Sequence, residues 1–140
     1  MQAIGRNRRI LDSPQKRRLN VERILVIHDD PGSQQTVRWI LERAGYDVTF
    51  TAFDQMAIDS FCTKKAGLVV LDVSLSRKST QDFCRQIREK SKNVSILVLS
   101  AISDVEEVVQ LLKLGADDYI TKPFNPLEFL ARVRAAIGRR

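Results

Sequence analysis

Apolar and polar positions come in alternating blocks along most of this chain. Ile24-Leu25-Val26-Ile27 is a short continuous apolar run, as in a strand buried on both faces. Asp30-Pro31-Gly32-Ser33 follows as turn material with a candidate helix cap. Val37, Ile40, Leu41 and Ala44 then recur at helical spacing, and Gly45 ends that helix. Val48 and Phe50 alternate with polar residues and predict a second short strand. A helix is expected near residues 54–64, with Met56, Ala57, Ser60 and Phe61 on its inner face.

The rhythm continues to the end of the chain. Leu68-Val69-Val70-Leu71 predicts a third strand, and Phe83, Cys84 and Ile87 a helix after it. Val94 to Leu99 predicts a fourth strand, and Val105, Val108, Val109 and Leu112 mark a helix closed by Gly115. Tyr119-Ile120 makes a short fifth strand ending before Pro123, and Leu127, Leu130, Ala131, Val133 and Ala136 mark the last helix. Five strand–helix units with continuous apolar strands argue an α/β fold, a parallel sheet covered on both faces. Right-handed crossovers make it a doubly wound, five-stranded, three-layer sandwich.

Composition narrows the function classes. A length of 140 residues, 44% hydrophobic and 29% charged, fits one ordinary globular domain. No apolar run approaches the roughly 18 residues of a membrane span. The basic first residues are not followed by the apolar stretch and cleavage site of a signal peptide. Cys62 and Cys84 have neither a disulfide framework nor zinc spacing, so a reducing cytoplasm is the natural compartment.

The net charge of +6 invites a nucleic-acid reading until it is located. Residues 1–23 hold seven basic and two acidic side chains, and residues 24–131 hold 12 basic against 15 acidic ones. Residues 1–22 are expected to be a basic, flexible arm, and 23–140 the domain. The arm has no aromatic residue on which a base could stack. The charge therefore does not argue that the folded domain binds DNA.

Ligands of doubly wound sheets bind beyond the carboxyl ends of the strands. There the sequence places His28-Asp29-Asp30, Asp72, Ser100 and Lys122. No GxGxxG or GxxxxGK[ST] motif follows any strand, which argues against a nucleotide or flavin. Carboxylates from two strands suit a hard, hydrated cation such as Mg²⁺. A hydroxyl and an ammonium beside them suit a phosphoryl group, and a carboxylate can accept one as an acyl phosphate.

With these residues in place, the sequence resembles the receiver domain of two-component response regulators over residues 24–138. The most specific stretch is Leu114-Gly-Ala-Asp-Asp-Tyr-Ile-Thr-Lys-Pro-Phe124, with Leu127-Glu128 and Ala131-Arg132-Val133 after it. Its pattern is similar to receivers that carry a winged-helix DNA-binding domain. The resemblance implies a flavodoxin-like fold and a phosphoprotein rather than an enzyme, with only self-catalysed phosphotransfer and autodephosphorylation. It implies that Asp72 is the phosphoacceptor, served by a histidine kinase as phosphodonor. It implies Mg²⁺ held by Asp29, Asp72 and the carbonyl of Ser74. Ser100 and Lys122 would contact the phosphoryl group, and Ser100 with Tyr119 would form the switch. Phosphorylation would then remodel the face of the fourth helix, fifth strand and fifth helix to control an output, in this class transcription. DNA would be met only through an effector domain not present in this chain.

Three departures qualify the resemblance. His28 stands where the family usually has an acid, which predicts weaker Mg²⁺ binding and slower phosphorylation. Ser76 and Thr80 replace a usual proline and glycine after Asp72, which predicts a looser loop. On the partner face Asp118 and Arg132 fit one intermolecular ion pair, but Val108 stands where a basic partner for Glu128 is usual. Lys113 stands where an acid is usual, opposite Arg134, so the expected homodimer is weak or altered. The alternatives are a phosphorylation-independent pseudo-receiver, favoured by His28, and a phosphohydrolase. The latter would want an acid just after the nucleophile, where Val73-Ser74 supply none.

Overall fold

The computed structural model describes residues 22–29, 32, 34–73, 77–102 and 104–138. Residues 1–21 of the basic arm, together with Asp30, Ser74 and Ser76, lie outside the described residues, as do the readings that rest on them. Five strands alternate with five helices: β1 (Arg23–His28), α1 (Gln34–Arg43), β2 (Asp47–Ala52), α2 (Gln55–Lys64), β3 (Leu68–Val73), α3 (Arg77–Lys90), β4 (Ser95–Ser100), α4 (Val105–Lys113), β5 (Asp118–Thr121) and α5 (Pro126–Gly138). All strand pairs are parallel, in the order β2-β1-β3-β4-β5. That is the flavodoxin-like order of a doubly wound sheet.

The three continuous apolar runs became the central strands. β3 and β4 are buried at all six positions, and β1 at all but Arg23. β2, with its alternating pattern, is a half-buried edge. One face of the sheet is covered by Val37, Ile40 and Leu41 of α1 with Phe129, Val133 and Ala136 of α5. The other is covered by Ala57, Ile58 and Phe61 of α2, Cys84 and Ile87 of α3 and Leu111 of α4.

Helix ends follow local chemistry. The Asp54 carboxylate accepts from Met56 N–H and that of Asp104 from Glu107 N–H, so each occupies an orphan donor of the first turn. Asn125 does the same for Leu127 and Glu128 ahead of Pro126. Gly45 and Gly115 follow α1 and α4 at φ +94° and +116°, a conformation L side chains resist.

Three helical faces differ from the periodicity reading. On α2, Met56 is exposed and Ile58 is buried in its place. On α5, Phe129 takes the core position and Leu127 is exposed. On α4 the inner positions are Glu107 and Leu111, while Val105, Val109 and Leu112 face outward. Glu107 tolerates its position because Gln81 of α3 donates to its carboxylate at 3.0 Å.

Candidate functional site

The parallel register brings the chemistry-bearing residues to one edge. His28 pairs with Asp72 across β1–β3, Val73 with Ser100 across β3–β4, and Ser100 with Thr121 across β4–β5. A strand buried along its whole length must leave its polar residue at the end, and β3 ends on Asp72 and Val73. The side chain of Asp72 is fully buried, and Lys122 Nζ stands 2.5 Å from its Oδ1. Lys122 is held there by its own N–H, which donates to the Ser100 carbonyl at 2.7 Å. The Lys122–Pro123 peptide bond is cis. On the other side, Asp29 N–H donates to the Asp72 carbonyl at 3.3 Å and so fixes the second acid beside β3.

Ser100 and Tyr119 are joined through one backbone residue. Ile102 N–H donates to Ser100 Oγ at 2.9 Å. The Tyr119 hydroxyl donates to the Ile102 carbonyl. Ile102 carries no side-chain signal for this role, and sequence reading missed it.

His28 is buried at the end of β1, and Gln34 of α1 places its amide nitrogen 2.9 Å from Nε2 and 3.2 Å from Nδ1. The Gln34 amide therefore ties the ring at the end of β1 to the start of α1. The ring also lies 6.4 Å from that of Phe50, whose face carries the Arg38 guanidinium at 4.2 Å. Gln34 was not foreseen. Its only sequence signal is its place at the start of the first helix.

No group of three His, Cys, Asp or Glu side chains is close enough to hold a metal ion among the described residues. The donor set at this edge is two carboxylate residues, Asp29 and Asp72, and Ser74 lies outside the described residues. Two carboxylates with the remaining positions left to water fit Mg²⁺, which dehydrates reluctantly.

On the partner face the charged residues close on themselves. Arg132 Nη1 donates to both Asp118 oxygens at 2.9 Å, a three-centre contact from one nitrogen, and Nη2 donates to Glu128 at 3.2 Å. The Asp118 hydrogen bonds, with help from Glu128, raise the Arg132 pKa above its ordinary value. Lys113 is exposed at the end of α4. Arg134 lines a groove of about 240 Å³ between α5 and α1, with Trp39, Arg43 and Leu127.

The comparisons with known proteins agree with this geometry. Residues 24–134 match the response regulator receiver domain. Over 118 residues the chain is 39% identical to the alkaline phosphatase synthesis transcriptional regulatory protein PhoP of Bacillus subtilis, covering 84% of this chain and 49% of that protein. It is 40% identical over 117 residues to the response regulator MprA of Mycolicibacterium vanbaalenii, covering 84% and 51%. The chain thus spans about half the length of the curated relatives it matches. Among solved structures it is similar to the BeF3-activated DrrB receiver domain, at 34% identity and TM-score 0.70, covering 86% of this chain and 99% of that one. It is also similar to the receiver domain of the sensor histidine kinase PA1611 from Pseudomonas aeruginosa, described with magnesium coordinated in its active site cleft, at 27% identity and TM-score 0.75, covering 84% and 98%. None of the described helices is long and apolar enough to cross a membrane. The chain belongs to the response regulator receiver domain family.

Proposed function

We propose that this domain accepts a phosphoryl group on Asp72 from the phosphohistidine of a histidine kinase, and passes the signal to a transcriptional output in the cytoplasm. The observation that carries this is the buried Asp72 carboxylate with Lys122 Nζ at 2.5 Å, beside Ser100 at the neighbouring strand end. An Asp72 oxygen attacks phosphorus in line, the P–N bond breaks, and the electron pair leaves with the donor imidazole, which takes a proton. Mg²⁺ bound by Asp29 and Asp72 would offset repulsion between carboxylate and phosphoryl oxygens. Lys122 takes up charge on the transferred group, at the cost of its contact with Asp72.

The switch follows from hydrogen bonds already made. If Ser100 Oγ turns to donate to a phosphoryl oxygen, the Ile102 N–H that points at it must follow or lose its acceptor. Ile102 also holds the Tyr119 hydroxyl, so the aromatic at the start of β5 is displaced with it. The reading predicts a phosphoadduct by intact mass after incubation with acetyl phosphate and Mg²⁺, and none on Asp72→Asn. Absence of an adduct on the wild type, with a phosphorylated histidine kinase as donor too, would overturn it. That outcome would favour the second reading, a phosphorylation-independent interaction module, which draws support from His28 standing beside Asp72 where the family usually has an acid.

A further inference from the structure

Charge is distributed differently along the sheet axis than along the sequence. Each parallel strand starts at the amino end of the sheet, and each helix runs back and stops there. From the last turn of each helix to the first residue of the next strand, with Glu22 and Arg23, that end holds eight basic and six acidic side chains. Residues 1–21 join it through Glu22 and residues 139–140 through Gly138, and these add eight basic residues and one acidic. The remainder of the chain holds seven basic and ten acidic residues. The amino end with its attached residues thus carries +9 of charge and the remainder −3.

Ion pairs do not absorb this excess. Arg23 faces Asp47 at 3.8 Å and Arg88 faces Asp117 at 3.2 Å, each a pair without net charge. The dipole of a helix favours a cation in its last turn, which accounts for Arg43 or Lys113. It does not account for Lys65. This residue stands past α2 at φ 54° and ψ 47°, the left-handed position that Gly45 and Gly115 fill after α1 and α4. A side chain kept there costs backbone strain that glycine would avoid. Lys65 and Lys90 line one groove of about 480 Å³ with Ser91, and Lys92 lines a second of about 770 Å³ with Arg88. Ser91 Oγ accepts from Val94 N–H at 3.1 Å and keeps its own hydrogen to donate. Three ammonium groups and a hydroxyl in neighbouring grooves offer the donors that a row of phosphates needs.

We propose that the amino end of this domain binds the sugar–phosphate backbone of double-stranded DNA without reading its sequence. Lys65, Lys90 and Lys92 make the contacts on the domain, and the basic residues before Glu22 add to them. A domain that is mildly acidic when counted along the sequence can do this because the fold gathers its cations at one end. Backbone contacts carry no sequence information, and residues 1–21 have no aromatic side chain on which a base could stack. A lipid surface fits less well. Peripheral helices and patches add buried apolar area to their charge, and among the exposed large apolar residues described only Leu112 stands in the last turn of a helix. The site lies at the opposite end of the sheet from Asp72 and Lys122, so it does not depend on phosphoacceptance.

Fluorescence anisotropy of a labelled duplex of about 20 base pairs, titrated with the 140-residue chain, tests the proposal. Micromolar binding is expected at about 50 mM salt, equal for duplexes of unrelated sequence. At about 150 mM it should be about a hundredfold weaker, as for about five phosphate contacts. Lys65→Glu with Lys90→Glu should weaken it by about tenfold or more. Arg38→Glu with Arg85→Glu makes the same change in net charge at exposed mid-helix positions and should leave binding within about threefold. Lys65→Gly relieves the left-handed backbone, so its expected loss of about threefold cannot come from unfolding. Asp72→Asn should bind as the wild type does. Circular dichroism would confirm that each variant is folded. Absence of binding at about 50 mM salt overturns the proposal, as does equal weakening by the two charge-reversed pairs. So does binding to phosphatidylserine vesicles without binding to the duplex.

Discussion

Two Asp-centred ion pairs lie at opposite ends of the sheet, and they are built for different purposes. At the amino end, Arg88 of α3 donates to the carbonyls of Ser91, Lys92, Val94 and Gly115 at 2.6–3.3 Å and pairs with Asp117 at 3.2 Å. The Asp117 carboxylate also accepts from Ile96 N–H at 2.8 Å. A planar guanidinium with five donors is spent there on fixing loops, and Gly115 is small because a Cβ would stand 2.9 Å from Arg88 Nε. At the carboxyl end, Lys122 and Asp72 are more deeply buried, with side chains 14% and 0% exposed against 23% and 37% for Arg88 and Asp117. A compact ammonium on a flexible stem can follow charge onto an incoming group, whereas a guanidinium bound to four carbonyls cannot. Shared ion-pair chemistry thus forms a clamp at one end and, in the proposed transfer, a movable charge at the other.

The comparison breaks if the two ends do not separate by substitution. Lys122→Met should slow phosphoadduct formation with acetyl phosphate by about a hundredfold or more, because the charge on the transferred group loses its counterion. Arg88→Met should leave that rate within about threefold and lower the unfolding free energy by about 2 kcal/mol, read from urea denaturation. A hundredfold loss of phosphorylation in Arg88→Met would mean that the amino-end clamp also controls the carboxyl edge.

The sheet was legible because three of its strands are uninterrupted apolar runs, and only a strand buried on both faces needs one. Asp72 and Ser100 were legible because a polar residue at the end of such a run has one place to be, and Lys122 because it stands in the stretch that carries the resemblance. The α4 face was not, because periodicity shows that a stripe exists without showing which side meets the sheet. Glu107 could enter the interior only with Gln81 of another helix to satisfy it. Gln34 and Ile102 escaped for a similar reason. One acts through an amide six residues from its partner, the other through backbone groups that any residue would have.

Within the carboxyl edge a smaller contrast separates the Asp72–Lys122 half, an ion pair, from the His28–Gln34 half, which holds an imidazole where the family usually has an acid. Replacing His28 by Asp would return a negative charge to the cation side. Mg²⁺ binding by isothermal titration calorimetry should tighten about tenfold, equivalent to about 1.4 kcal/mol. An unchanged affinity would show that the ring is too remote from the cation for its charge to matter.

The smallest effect probes the amino end through Cys84, which is buried beneath the Arg88 clamp with its Sγ 3.7 Å from the Leu114 carbonyl. Burial pushes its thiol up from 9.0 to about 11, with Arg88 opposing the shift and Asp117 adding to it. An acid whose pKa is raised on folding keeps its proton longer in the folded chain. Between pH 9 and about 11 the unfolded chain therefore carries fewer protons at this site, and stability falls as pH rises. The contribution is fully present below pH 9, and about 1 kcal/mol of it is lost by pH 10. Cys84→Ala should remove that part of the alkaline slope in denaturation measured from pH 8 to pH 10.5, whatever the other groups that titrate there contribute to both proteins. Cys62, which is exposed, should react with iodoacetamide in the folded protein at pH 8, while Cys84 reacts only on unfolding. Equal reactivity of the two thiols would show that the clamp opens readily, and the amino end would lose its standing as the rigid half of the sheet.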